Sequence, residues 1–127
     1  MNRLSTFLKA TFHILNVFLI TIYLFPGSLF GYMIYGDIKK QPQITSDFLN
    51  ISSNHFYAFL LFSIIGILSY GNNKKKNIII IYLFPLSIIL ELFHIIIPQR
   101  SFQIGDLLGN FLGVLFVLVI FSIYKKI

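Results

Sequence analysis

Polar residues of types that can perform acid–base chemistry or hold an anion lie within one short stretch of this chain. They are Glu91, His94, Arg100, Asp106 and Asn110. The chain has only four Asp and Glu residues, and two of them lie in this stretch. A carboxylate can act as a general base, an imidazole can carry a proton, and a guanidinium can hold a phosphate or carboxylate. The function of the protein is therefore to be sought here.

Glu91 is the residue of this set that is hardest to explain as an ordinary surface residue. It lies in an apolar segment before Pro98, which places its carboxylate roughly 10 Å below the outer end of a helix. A charged group at membrane depth is costly and is expected to be paired or functional. We expect Glu91 to pair with Arg100 or with His55. A purely structural ion pair is the alternative to a functional one.

The other polar residues have structural as well as functional interpretations. Asp106 at the start of the last helix can act as its cap or first-turn acid, or as a ligand. Arg100 can anchor at lipid headgroups or bind a ligand. For His55, which opens the second helix, a capping or interfacial role is favoured. The candidate catalytic residues are Glu91 and His55. The candidate ligand-binding residues are Glu91, His94, Arg100, Asp106, Asn110 and His55.

One spacing in the chain is compatible with a metal site. Glu91 and His94 have the Glu-x-x-His spacing that occurs in carboxylate-bridged metal sites of helical bundles. Such sites need further carboxylates from other helices, and only Asp106 can supply one here. The chain has no cysteine, which excludes a thiolate-held metal. We therefore expect neither a metal nor another cofactor.

Four apolar segments must position these residues. They span residues 12–35, 54–70, 78–97 and 106–124. With 57% hydrophobic and 11% charged residues, the chain departs from soluble domains, of which about 25% is charged. The segments are rich in Leu, Ile and Phe and do not alternate, which favours helices over a membrane barrel. The sequence predicts one all-α domain, residues 1–127, built as an integral membrane bundle of four transmembrane helices.

The first of these segments contains Pro26-Gly27 in its second half. Proline removes a backbone donor and clashes with the preceding turn, so a helix must bend or stop here. A kinked spanning helix is the favoured interpretation. An earlier helix end followed by a turn is the alternative.

The last segment carries glycines at four-residue spacing, Gly105, Gly109 and Gly113. Small residues at this spacing form a seam along which membrane helices approach closely. We expect this helix to pack through the glycines against a neighbour, beside the polar residues. The neighbour can belong to the same chain, so the oligomeric state is left open.

The basic residues indicate topology and lipid contact. The formal net charge is +6, but the Lys and Arg residues lie at the edges of the apolar segments, so nucleic acid is not expected as a partner. Seven of them fall on one side of the bundle and three on the other. The positive-inside rule then predicts a multi-pass protein of the plasma (inner) membrane with both termini in the cytoplasm. The expected partners are membrane lipids, with a lipid-linked envelope precursor as a candidate.

The polar stretch resembles the signature of the VanZ-like membrane family. The resemblance rests on the ordered pattern Glu-x8-Arg-x5-Asp-x3-Asn-x2-Gly, formed by Glu91, Arg100, Asp106, Asn110 and Gly113. The segment Ser53-Asn54-His55 is similar to the opening of that family's second helix. The founding member of the family is associated with low-level resistance to the glycopeptide teicoplanin. The resemblance implies a membrane protein related to the cell envelope, and it implies no defined biochemical activity.

Three functions are compatible with these features. The polar residues can bind or modify an anionic amphiphilic component of the envelope, with Arg100 holding its charged group. Alternatively, they form a structural network of ion pairs in a non-enzymatic scaffold. Transport is the weakest of the three, because the sequence indicates no second polar layer near the cytoplasmic half. Whether the protein is an enzyme is left open.

Overall fold

The computed structural model describes residues 3–71 and 74–124. Its helices are α1 (Arg3–Leu24), α2 (Leu29–Tyr35), α3 (Ser53–Tyr70), α4 (Lys76–Leu92), which continues into a 3₁₀ turn (Phe93–Ile95), and α5 (Ile104–Tyr124). Of these, α1, α3, α4 with its turn, and α5 are long and apolar enough to cross a membrane. The predicted all-α bundle of four membrane-spanning helices is confirmed. Lys125 and Lys126, which entered the charge comparison, lie outside the described residues.

The first apolar segment is not the single kinked helix expected over 12–35. α1 begins before this range and ends at Leu24. Pro26 cannot donate the next backbone hydrogen bond, and Gly27 follows with φ 85°, in the left-handed region that a helix cannot contain. The chain then turns into the short α2, where the N-cap Ser28 accepts a backbone hydrogen bond at 2.9 Å. The alternative interpretation, an earlier helix end followed by a turn, is the correct one.

The other three spans lie close to their predicted ranges but differ at their ends. α3 begins one residue before the predicted 54–70, and α4 and α5 each begin two residues before 78–97 and 106–124. α4 also leaves α geometry after Leu92, and its 3₁₀ turn ends before 97 is reached. A residue that precedes proline is disfavoured in the helical region, so Pro98 prevents the helix from extending through 97.

The glycines of α5 lie against α3, and these two helices make the most extensive contact of any pair. A Cβ added at Gly105, Gly109 or Gly113 would come within 2.6 Å of a backbone oxygen of α3 or of the residues just before it. Real side chains do not approach so closely, so these positions admit only glycine without a shift of the backbone. The neighbour of the glycine seam is therefore a helix of the same chain.

Gly113→Ala is expected to destabilise the bundle by about 1–3 kcal/mol, the usual cost of overpacking. The added Cβ would lie 2.6 Å from the Phe56 carbonyl oxygen, which cannot rotate aside as a side chain can. Thermal unfolding in detergent measures the loss. Val119→Ile is the control, because it adds a methyl group to a side chain of α5 that is 48% exposed. If the two variants have the same melting temperature, the glycine seam is not a close contact.

Candidate functional site

Glu91 lies at the centre of the polar residues and is completely buried. Its Oε1 accepts a hydrogen bond from the backbone N–H of Gln103 at 3.1 Å. Its Oε2 lies 3.1 Å from His94 Nδ1 and 3.8 Å from His55 Nε2. Oε2 has no hydrogen bond of acceptable geometry to any described residue. The link before α5 thus fixes one carboxylate oxygen and leaves the other turned toward two imidazoles.

His55, for which a capping or interfacial role was favoured, lies between the two carboxylates. Its Nδ1 is 2.9 Å from Ser52 Oγ and 3.3 Å from Asp106 Oδ1. The imidazole is buried, whereas the Asp106 side chain is 16% exposed. Asp106 lies in the first turn of α5, where a carboxylate interacts favourably with the helix dipole. We call His55, Glu91, His94 and Asp106 the carboxylate–histidine cluster.

Tyr23 of α1 connects this cluster to Asn110. The Tyr23 carbonyl oxygen lies 3.1 Å from His94 Nε2, and the two rings are stacked with their centroids 5.8 Å apart. The Tyr23 hydroxyl donates to Asn110 Oδ1 at 2.6 Å, and Asn110 Nδ2 donates to the Ser87 carbonyl oxygen at 3.1 Å. Asn110 is therefore held in the same layer as Glu91. Among the described residues, no hydrogen bond joins Asn110 to the Glu91 carboxylate.

Arg100 does not pair with Glu91, so that expected partner is wrong. Its Nε donates to the Phe25 carbonyl oxygen at 3.2 Å and its Nη2 to the Ile22 carbonyl oxygen at 2.7 Å. In a continuing helix the Ile22 carbonyl would accept from the residue four positions later, which is Pro26 and has no N–H. Arg100 takes the place of that missing donor and caps the end of α1.

Arg100 also lines a cavity of about 420 Å³. The walls are mostly apolar and come from α1, α2, α3 and the loop between α2 and α3; they include Ile22, Leu29, Phe30, Ala58 and Leu61. His55 lines the same cavity, which therefore reaches the carboxylate–histidine cluster. Burial lowers the pKa of Arg100 from its ordinary value, and the charges of Tyr23, Glu91 and Asp106 oppose that shift.

A second polar layer lies toward the other end of the bundle, contrary to the expectation that there is none. His13 Nε2 is 2.9 Å from the Tyr70 hydroxyl, and the Tyr82 hydroxyl donates to Asn16 Oδ1 at 2.7 Å. These residues line a separate cavity of about 310 Å³. The buried Leu19 follows Asn16 along α1 before Tyr23 is reached, so apolar packing separates the two layers.

Sequence reasoning missed Tyr23, Ser52 as a side-chain partner of His55, and the backbone groups at Ile22, Phe25 and Gln103. For Tyr23 a signal was available, because a hydroxyl in an apolar segment near Pro26 lies at the helix end where the other polar residues were expected. The backbone donors and acceptors carry no such signal, since every residue has them. Their use here depends on where the helices end.

Comparison with known proteins finds no matching family model, curated protein or solved structure. The fold and the site define an all-α, multi-pass membrane protein with a buried carboxylate–histidine cluster beside an apolar cavity that contains an arginine. The resemblance of its Glu91-to-Gly113 pattern to the VanZ-like family stays a prediction.

Proposed function

We propose that this protein binds an anionic amphiphilic component of the cell envelope in the cavity lined by Arg100 and His55. The observation that carries the proposal is the cavity itself, about 420 Å³ in volume and mostly apolar, with Arg100 in its lining. Ligand pockets commonly enclose about 300–1,000 Å³ and combine apolar walls with a few polar groups that orient the ligand. An acyl or isoprenoid chain suits the walls, and a phosphate or carboxylate suits the arginine.

The charge of the lining favours an anion over a cation. Arg100 is the one permanently charged side chain among the described residues that line the cavity. Its two hydrogen bonds to carbonyl oxygens use two of its five N–H groups, so others can donate to an anionic ligand. Those two bonds also hold the guanidinium plane in place, which reduces the entropy lost on binding.

The proposed topology places this cavity in the outer half of the plasma membrane, with both termini in the cytoplasm. It is supported by the excess of Lys and Arg residues on the side of the termini and of the turn between α3 and α4. The resemblance to the VanZ-like family supports an envelope-related ligand as well. Binding needs no chemical step; a modifying activity would use Glu91 or His55 as its base.

The test is the lipid that copurifies with the chain in mild detergent, identified by mass spectrometry. The wild-type protein is expected to enrich one anionic lipid species over its abundance in the membrane. Arg100→Ala is expected to reduce that enrichment about tenfold, the effect of losing roughly 1.4 kcal/mol of binding free energy. Ala58→Trp places bulk in the cavity wall, leaves Arg100 intact, and is expected to remove the bound lipid altogether.

Val119→Trp is the matched control for the added bulk, because Val119 is exposed on α5 and does not line the cavity. It should keep the wild-type lipid content. The proposal is wrong if wild-type protein carries lipids only in membrane proportions, or if Arg100→Ala and Ala58→Trp both retain the enriched species.

A non-enzymatic scaffold is the second candidate, and the capping bonds of Arg100 favour it. They tie the link before α5 to the end of α1 and have a structural purpose without any ligand. This reading predicts that substitutions in the polar layer act on stability alone. The melting temperature of Glu91→Gln, measured together with its lipid and metal content, separates the scaffold from the binding proposal.

A further inference from the structure

One oxygen of Glu91 is buried without a hydrogen bond among the described residues. The side chain is 0% exposed, and Oε2 has no hydrogen-bond partner among the described residues. A buried carboxylate oxygen without a hydrogen bond is destabilising, so such groups are normally paired or bound to a cation. This oxygen lies 3.1 Å from His94 Nδ1 and 3.8 Å from His55 Nε2.

The hydrogen bond of His94 determines which of its ring nitrogens carries the proton. Its Nε2 lies 3.1 Å from the Tyr23 carbonyl oxygen, which can only accept, so Nε2 carries a proton in that bond. The neutral ring then presents an unprotonated Nδ1 to Glu91 Oε2 at 3.1 Å, which places two acceptors face to face. A cation bound at Oε2 resolves the conflict.

We propose that His55, Glu91 and Asp106 bind a first-row divalent metal ion, with Zn²⁺ as the probe. Each of the three offers one donor atom, and the three atoms lie within 4.8 Å of one another. Two ligands that are each about 2.0–2.2 Å from a zinc ion lie up to roughly 4.4 Å apart, so a small side-chain movement completes the site. The two carboxylates balance the charge of the ion. This site was not expected from the sequence.

The distance between His55 and Glu91 fits a metal site. His55 Nε2 and Glu91 Oε2 are 3.8 Å apart, which is too far for a hydrogen bond and suits two ligands of one ion. The other ring nitrogen of His55, Nδ1, is 2.9 Å from Ser52 Oγ and 3.3 Å from Asp106 Oδ1, so the Asp106 carboxylate must turn toward Nε2 to share the ion. A partner at the second nitrogen fixes the orientation of a metal-binding imidazole, as in established histidine sites. Imidazole with carboxylates suits Zn²⁺ or Mn²⁺ better than Ca²⁺ or Mg²⁺, which prefer oxygen ligands alone.

An ion can reach the site from two directions. The Asp106 side chain is partly exposed, at 16%, and His55 lines the cavity described above. The metal proposal does not depend on the binding of an amphiphile. Ala58→Trp, which tests the amphiphile, leaves all three metal ligands in place, so the two proposals can fail separately.

The test is calorimetric titration of the full chain, purified in detergent without a histidine tag and treated with a chelator, with Zn²⁺, Mn²⁺ and Ca²⁺. Metal content is measured in parallel by inductively coupled plasma mass spectrometry. We expect about one Zn²⁺ per chain and no saturable binding of Ca²⁺. Asp106→Asn and His55→Gln should each weaken Zn²⁺ binding about 10–100-fold, and Glu91→Gln should abolish the stoichiometric site.

His13→Gln and Asp37→Asn are the controls, because they remove the same kinds of ligand outside the cluster and should bind Zn²⁺ like the wild type. If Glu91→Gln fails to fold, Asp106→Asn decides the question, since its side chain is partly exposed at a helix start. Absence of stoichiometric Zn²⁺ binding by the wild type overturns the proposal. Binding that Asp106→Asn and His55→Gln leave unchanged overturns it as well.

Discussion

Arg100→Ala is expected to lower the free energy of unfolding by about 2–4 kcal/mol, measured as thermal or denaturant unfolding in detergent. The substitution removes the donor to the carbonyl oxygens of Ile22 at 2.7 Å and Phe25 at 3.2 Å. Hydrogen bonds from a charged group are among the stronger ones, and a carbonyl left unpaired in a partly buried place adds its own cost. Pro26 cannot repair the loss, because it has no N–H.

Arg100→Lys distinguishes the fork of the guanidinium from its charge. A lysine ammonium is a compact donor on a flexible stem and is not expected to reach both carbonyls in the same geometry, so we expect only partial recovery of stability. Arg3→Ala, at an exposed position near the start of α1, controls for the loss of one positive charge. An Arg100→Ala variant that melts with the wild type would contradict the capping role.

The hydrogen-bond partners of Arg100 could not be predicted from the sequence. An arginine with two carboxylates nearby in the sequence predicts an ion pair, because side-chain charge is visible in the residue types. The carbonyl oxygens of α1 become available only because Pro26 ends that helix, and they face Arg100 only because α1 packs beside the link before α5. Helix ends and helix neighbours decide the outcome, and neither is fixed by local residue patterns.

Other parts of the molecule were accessible to sequence reasoning. Apolar length sets the four spans, and the four-residue spacing of Gly105, Gly109 and Gly113 corresponds to the close contact of α5 with α3. The position of Glu91 deep in an apolar segment predicted that its carboxylate needs a charged or polar partner, and His55 was one of the two candidates. The metal-binding geometry could not be predicted, because it depends on how α3, α4 and α5 bring His55, Glu91 and Asp106 together.

Glu91→Ala is expected to cost about 3–5 kcal/mol of stability, the range for breaking a buried charged contact and leaving a cavity. The Gln103 N–H loses its acceptor, and His55 and His94 lose the carboxylate between them. Unfolding in detergent measures the change. Asp37→Ala removes only an exposed hydrogen bond from the Lys39 N–H and should lower the free energy of unfolding by no more than about 1.5 kcal/mol.

Glu91→Gln tests whether the Glu91 carboxylate serves ligand binding or the stability of the fold. The glutamine amide oxygen can still accept from the Gln103 N–H, and its NH₂ can donate to the unprotonated Nδ1 of His94. The side-chain volume is nearly unchanged, and two acceptors no longer face each other. We therefore expect a free energy of unfolding within about 1 kcal/mol of the wild type, together with the loss of stoichiometric Zn²⁺ binding. A scaffold held by charge predicts the reverse, because the amide removes the charge that attracts His55. A large fall in melting temperature in Glu91→Gln, with the same lipid and metal content as the wild type, would therefore favour the scaffold.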